Sequence, residues 1–168
     1  MPPLPTARLR FELWTEVDLG LALELWGDPE VSRYISAGGF SRDEIQARLQ
    51  REIANGRDHG VQYWRLRLRE TDDFVGCCGL KPARPAERVY ELGFQLRPAF
   101  WGQRLAGEAA RASVDYAFTT LGAAGLIAGH HPENVASRRL LESLGFQYTH
   151  DTFYPPTGLR HREYWLPA

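Results

Sequence analysis

Two stretches of the chain hold residues whose types and spacing suit anion binding and proton transfer. The first runs from Tyr90 to Ala109. Tyr90, Leu92, Phe94 and Leu96 alternate with Glu91, Gly93, Gln95 and Arg97, the period of a half-buried strand. Pro98 has no N–H for a neighbouring strand, so regular pairing is expected to stop there. A polar turn with Gly102 and Gly107 follows. A helical pattern then places Ala110, Val114, Ala117, Phe118 and Leu121 on one face. Strand, small-residue turn and helix start, in that order, make an anion-binding device. The free N–H groups of the first helical turn carry partial positive charge towards the turn, which suits a phosphate or pyrophosphate. The same glycines would equally serve close packing at an ordinary strand-to-helix connection. Neither GxxxxGK[ST] nor GxGxxG is present, so the usual nucleotide signatures do not decide the matter. The second stretch is His130-His131-Pro132-Glu133, a turn, followed by Asn134 and a helix that carries Ser137 one turn in.

The elements that must position these residues read as follows. Thr6 to Leu13 is a strand in which Leu9, Phe11 and Leu13 alternate with arginines. Asp18 is placed to cap a helix with Leu21, Leu25 and Trp26 on one face, ended by Gly27-Asp28-Pro29. Glu30 to Phe40 is a short helical turn and a loop. Ser41 and Glu44 form a capping box that opens a helix with Ile45, Leu49 and Ile53 inward, ending near Asn55-Gly56. Val61 to Arg69 and Phe74 to Leu80 are strands joined by the turn Thr71-Asp72-Asp73, with Gly76 and Gly79 as bulge points. Lys81 to Arg88 is a loop. Leu126 to Gly129 is a short buried strand. Asn134 to Leu144 is a helix with Ala136, Leu140, Leu141 and Leu144 inward, closed by Gly145 and Phe146. Phe146 to Tyr154 and His161 to Leu166 form a final hairpin. One α/β domain spanning residues 1–168 is the economical reading.

Composition narrows the function classes. The 168 residues are 43% hydrophobic and 24% charged, ordinary for a globular protein. Twenty basic and 21 acidic residues leave a formal charge of -1, so no basic excess argues for nucleic acid. No apolar run approaches a membrane span, and Met1-Pro2-Pro3-Leu4-Pro5 lacks the parts of a signal peptide. Adjacent Cys77 and Cys78 suit neither a CxxC pair nor a zinc knuckle, and are expected to be buried thiols in a reducing cytoplasm. His130 and His131 lack further ligands at metal-binding spacing, so no metal is expected. The face of Arg65, Arg67 and Arg69 reads as a solvated side of the sheet, with a patch for acidic peptide as the second reading.

Leu96-Arg97-Pro98-Ala99-Phe100-Trp101-Gly102-Gln103-Arg104-Leu105-Ala106, together with Asn134-Val135-Ala136-Ser137 and the closing Leu144-Gly145-Phe146, resembles the GCN5-related N-acetyltransferase (GNAT) superfamily. Within it the sequence looks most like the RimJ/RimL-type group of ribosomal-protein alanine N-acetyltransferases. The opening Thr6-Ala7-Arg8-Leu9-Arg10 with Asp18, and Asp28-Pro29-Glu30-Val31, are familiar there too, so the resemblance covers nearly the whole chain. It implies an α/β (α+β) GNAT fold: a mixed, mostly antiparallel sheet, split to hold acetyl-CoA and flanked by about four helices. It also implies that backbone groups near Phe94, Gln95 and Leu96 pair with the pantetheine arm. N–H groups of Gly102, Gln103, Arg104, Leu105, Ala106 and Gly107 would hold the pyrophosphate, and Asn134 would contact the cofactor or the amine side. Two positions depart from the family. Arg104 stands where glycine is usual, and Leu141 stands where many relatives carry a tyrosine acid.

Acetyl transfer to an amine needs a base for the amine, polarisation of the thioester carbonyl and protonation of the thiolate. Glu91 is the candidate base, directly or through a water, or else a solvated strand glutamate. Ser137 is the candidate hydrogen-bond donor to the coenzyme sulfur, or else satisfies backbone groups of its own helix turn. Asn134 is a cofactor contact, an N-cap, or both. A base role for His130 is secondary. Tyr34 and Tyr154, next to loops, are core residues or line an acceptor pocket. The reading is an N-acetyltransferase that moves acetyl from acetyl-CoA to a primary amine, a protein N-terminus or a small molecule, as a monomer or homodimer. The rival is a non-catalytic acyl-CoA-binding module, favoured by Arg104 and the missing tyrosine.

Overall fold

The computed structural model describes residues Met1–Ala168. Seven strands form one sheet: β1 (Leu9–Glu12), β2 (Tyr63–Leu68), β3 (Phe74–Arg84), β4 (Val89–Leu96), β5 (Gly125–His130), β6 (Gln147–Tyr154) and β7 (Leu159–Pro167). Their spatial order is β1-β2-β3-β4-β5-β7-β6. Only β4 and β5 run parallel; every other neighbouring pair is antiparallel. The helices are α1 (Leu19–Trp26), α2 (Pro29–Ser32), α3 (Arg42–His59), α4 (Leu105–Thr119) and α5 (Val135–Ser143). This is the mixed, mostly antiparallel sheet with flanking helices expected from the sequence; α2, a single turn, makes the helices five. No helix is long and apolar enough to cross a membrane.

Strand alternation divides the interior into two cores, one on each face of the sheet. On one face Trp14, Leu25, Trp26, Ile45 and Leu49 pack with Tyr63, Phe74 and Cys77 under α1 and α3. On the other, Leu66, Cys78, Leu92 and Leu96 pack with Leu105, Ala109, Ala110 and Leu141 under α4 and α5. The adjacent cysteines thus enter different cores, both thiols free and fully buried. Burial raises both, and pushes the Cys78 thiol up to about 12.

Several boundaries differ from the sequence reading, each for a local reason. β1 stops at Glu12: Leu13 is 48% exposed, and Trp14 turns inward instead. The Trp14 indole N–H donates to the carbonyl of Tyr63 at 2.6 Å. Asp18 does not cap α1. Its carboxylate accepts from the N–H and hydroxyl of Thr15 and pairs with Arg65 at 2.9 Å. α3 runs through Asn55-Gly56 and stops at Gly60, whose φ of 72° suits a glycine at the helix end. Gly56 is small for another reason, since a Cβ there would lie 2.4 Å from the Gln62 amide nitrogen.

β3 continues through Lys81–Arg84, read from sequence as loop. Pro82 is tolerated because it lies beyond the end of β2, whose first residue, Tyr63, pairs with Gly79. The N–H it lacks would have pointed where no strand remains. The register then shifts between Pro82 and Arg84. Arg65 and Arg67 are tied to Glu12, at 3.2 and 3.3 Å, so they form no free patch for acidic peptide. Ala136, expected inward, is exposed; α5 fully buries only Leu141.

Candidate active site

β4 and β5 pair only over Val89–Glu91 and Gly125–Ile127. Beyond that point β4 stays with β3 as far as Leu96, while β5 follows β7 as far as His130. The sheet opens there into a cleft of about 1310 Å³. The backbone of β4 determines what this gap offers. Arg97 N–H donates to the Val75 carbonyl at 2.9 Å, so the odd-numbered residues of β4 are those bonded to β3. The N–H and C=O groups of Phe94 and Leu96 therefore point into the gap. One of them is taken: the Trp101 indole donates to the Leu96 carbonyl at 2.8 Å and pins the following turn. Gln95 is a correction to the expected cofactor contacts. Its backbone is turned to β3, and its side-chain oxygen accepts from the Trp26 indole at 2.5 Å.

At one end of the cleft stands the start of α4. Gly102 (φ 74°) and Arg104 (φ 62°) are both left-handed, which reverses the chain and presents the first helical turn. α2, α3 and α5 each begin on a side chain that accepts a first-turn N–H, from Asp28, Ser41 and Asn134 respectively. α4 has no such cap, and its first internal bond runs from Glu108 N–H to the Arg104 carbonyl at 3.2 Å. The N–H groups of Leu105, Ala106 and Gly107 are left for a ligand. Small residues at 102, 106 and 107 keep that backbone accessible. Arg104 and Arg111 line the same end, and neither is in an ion pair. Gln103, expected with this loop, faces away. Its amide donates to the Ala99 carbonyl at 3.2 Å, and its own carbonyl accepts from Arg8 at 3.1 Å.

The other end is built on the opposite face of β4. Glu91 is half-buried, with Lys81 Nζ at 3.0 Å from its Oε1. The Tyr63 hydroxyl donates to the same oxygen at 3.3 Å. Tyr63 reaches it by lying across Gly93, where a Cβ would come within 2.3 Å of the phenol ring. Burial, followed by the Glu91 charge, raises the Tyr63 phenol well above its ordinary value, so it stays a donor at neutral pH. Neither Tyr63 nor Lys81 stood out in the sequence. The glycine at 93, in the middle of a strand, was the available signal of a close approach.

At the end of β5, the His130 Nδ1–H donates to the His131 carbonyl at 2.7 Å, a contact that fixes the tautomer. Its Nε2 then accepts from the Tyr164 hydroxyl at 3.1 Å. Burial lowers the His130 pKa. With both nitrogens occupied, His130 is a poor base, which removes its secondary candidacy. Tyr34 packs on His131 with ring centres 5.1 Å apart, and Tyr154 on His161 at 4.4 Å. These two pairs meet through His131 and His161, at 5.4 Å. The two tyrosines expected near an acceptor pocket are thus linked through imidazoles, a connection that sequence spacing does not show. Above them Ala37 N–H donates to the Pro156 carbonyl at 3.0 Å, joining the loop before α3 to the β6–β7 hairpin tip.

α5 faces the gap from β5. The Asn134 side-chain oxygen accepts from Ser137 N–H at 3.1 Å, so Asn134 is the N-cap while also lining the cleft. The Ser137 hydroxyl makes no hydrogen bond within the chain and lines the cleft as well. Leu141, buried, contributes an apolar wall to the cleft and no acid. No group of three His, Cys, Asp or Glu side chains is arranged to hold a metal ion.

The acetyltransferase (GNAT) domain family matches residues 8–147. The chain belongs to the GNAT acetyltransferase family. Among its GNAT relatives, the uncharacterized N-acetyltransferase p20 of Bacillus licheniformis is 34% identical over 149 residues, 88% of this chain and 83% of that protein. The FsC-acetyl coenzyme A-N(2)-transacetylase of Aspergillus fumigatus is 32% identical over 176 residues, covering 96% and 74%. In fold, the chain superposes on a RimL ribosomal-protein acetyltransferase solved with coenzyme A. The TM-score is 0.84 at 12% identity, over 99% of this chain and 98% of that one. This GNAT protein is therefore an acyltransferase.

Proposed function

We propose that this chain transfers acetyl from acetyl-CoA directly to a primary amine, with both substrates held at once between β4 and β5. The reading rests above all on the gap itself. It has the backbone groups of Phe94 and the N–H of Leu96 along one wall, an uncapped helix start at one end and a braced carboxylate at the other. When bound, acetyl-CoA supplies an activated acetyl group and a thiolate leaving group. The amine nitrogen bonds to the carbonyl carbon as the carbon–sulfur bond breaks. The amine proton goes to Glu91, directly or through a water, and the thiolate gains one from solvent.

The remaining roles belong to the protein. Leu105, Ala106 and Gly107 N–H groups, with the charges of Arg104 and Arg111, hold the pyrophosphate. Phe94 and Leu96 N–H groups hold the pantetheine arm and polarise the thioester oxygen. Tyr63 and Lys81 fix the direction of the Glu91 carboxylate. The Ser137 hydroxyl donates to the sulfur, and Asn134 sets the start of the helix that carries it. Tyr34 and Tyr154 line the acceptor pocket. The acceptor is a protein N-terminus, as the name of the RimL α-N-protein acetyltransferase gives for that enzyme, or a small amine.

Calorimetric titration with acetyl-CoA, with dephospho-CoA alongside, is the first test. Micromolar binding, about -8 kcal/mol, followed by release of free CoA with a primary amine, is expected. Binding without CoA release across a broad amine panel would overturn the transfer reaction.

A further inference from the structure

Resting on the reading of the cleft as an acetyl-transfer site, a further feature bears on what the acceptor carries besides its amine. Arg48 lines the cleft from α3. Its guanidinium is clamped between two aromatic faces, 5.1 Å from the Trp26 ring centre and 4.6 Å from that of Phe40. Its Nε is buried and has no hydrogen-bond partner. The carboxylates one helical turn away on either side are both engaged elsewhere. Glu44 accepts from Ser41 N–H at 2.7 Å, and Glu52 from Tyr63 N–H at 2.7 Å. Neither makes an ion pair with Arg48.

The other cations of this wall differ from it in pairing or in exposure. Lys81 is paired with Glu91, while exposed Arg33 lies over the Tyr34 ring. Arg48 is thus a cation stacked between two rings that feels the Glu52 charge through space but makes no ion pair with it or with any other carboxylate of the chain. An unpaired buried donor is costly, and a guanidinium presents a planar fork that a carboxylate matches with two parallel hydrogen bonds. We propose that Arg48 binds a carboxylate on the acceptor, so that the substrate class is an amino acid or another amine bearing a carboxylate. Pre-ordering by Trp26 and Phe40 spares the entropy of fixing a long side chain.

The test uses the whole chain saturated with CoA and probes that need no turnover. N-acetylmethionine, N-acetylglutamate and N-acetyl-β-alanine are titrated beside their carboxamides. The free acids are expected to bind roughly 10- to 100-fold more tightly than the amides, the range for a hydrogen-bonded charged group. Arg48→Met, which keeps an apolar stem, removes that preference and leaves acetyl-CoA affinity unchanged; Arg48→Lys retains part of it. Equal binding of acid and amide by the unaltered protein overturns the proposal, as does a preference that survives in Arg48→Met. A matched assay of CoA release with the free amines separates the two readings. Acid-selective binding without any CoA release would sink the transfer reaction and leave the carboxylate site standing.

Discussion

Arg104 begins α4 in the left-handed region, at φ 62° and ψ 15°, and this gives one substitution two opposite consequences. An L-residue held there costs about 1–2 kcal/mol. Arg104→Gly removes that cost but adds flexibility to the unfolded chain, offsetting about 0.5–1 kcal/mol. The net expectation is a gain of about 0.5–1 kcal/mol, or a rise in melting temperature of about 1–4 °C for a chain of this length. Binding should move the other way. Arg104 is exposed, and an exposed charge contact contributes about 0.2–1 kcal/mol. Acetyl-CoA should then bind roughly 1.5- to 5-fold more weakly at low salt, and the difference should shrink as salt screens it. Arg104→Ala is the control, because it loses the charge and keeps the left-handed backbone. Thermal unfolding without ligand and calorimetry at two salt concentrations read both effects. If Arg104→Gly melts no higher than Arg104→Ala, the backbone argument is wrong. If both variants bind acetyl-CoA as tightly as the parent at low salt, Arg104 does not serve the phosphate end.

Other perturbations follow from the same geometry. Gly93→Ala places a Cβ 2.3 Å from the Tyr63 ring, so it should cost about 1–3 kcal/mol in denaturant unfolding. It should also reduce turnover far more than acetyl-CoA affinity; full activity would show that Tyr63 need not lie there. Glu91→Gln should lower kcat most at neutral pH and least at high pH, where the amine sheds its proton unaided, and an unchanged pH–rate profile removes Glu91 from the mechanism. Glu52 offers a stability test, since burial raises its pKa above 4.5 despite the Tyr63 N–H it accepts. A carboxyl that holds its proton more tightly when folded adds stability below the unfolded value, and loses it as pH rises through the folded one. Glu52→Gln cannot ionise and should flatten the loss of stability above pH 4.5, which melting curves across that window would detect.

The local features of the fold were legible because they rest on short-range chemistry. The Ser41–Glu44 capping box, the alternation of β4 and the Leu144-Gly145-Phe146 close all depend on neighbours a few residues away. The candidate site was legible where it is made of backbone, at Phe94, Leu96 and the start of α4. It was hidden where distant strands bring side chains together. Tyr63 meets Glu91 across 28 residues of sequence, through the register that sets Tyr63 beside Gly79 and Gly79 beside Gly93. Gln103 was misplaced because one residue's rotation in a left-handed turn decides which way its amide faces. Pro82 misled for a related reason: proline stops a strand only where a neighbour remains to be paired.

The single bond from Ala37 to Pro156 has a consequence for the rhythm of the reaction. Taken by itself, one net hydrogen bond of about 1 kcal/mol would leave the two loops parted in roughly one molecule in six. Loop motions of this kind take nanoseconds to microseconds, far faster than a typical turnover of about 10 per second. Passage of the acceptor through this end would then never limit the cycle, and departure of CoA or the chemical step would. Rapid deuterium exchange at the Ala37 amide fits that view; an amide protected for hours would make this end a slow gate.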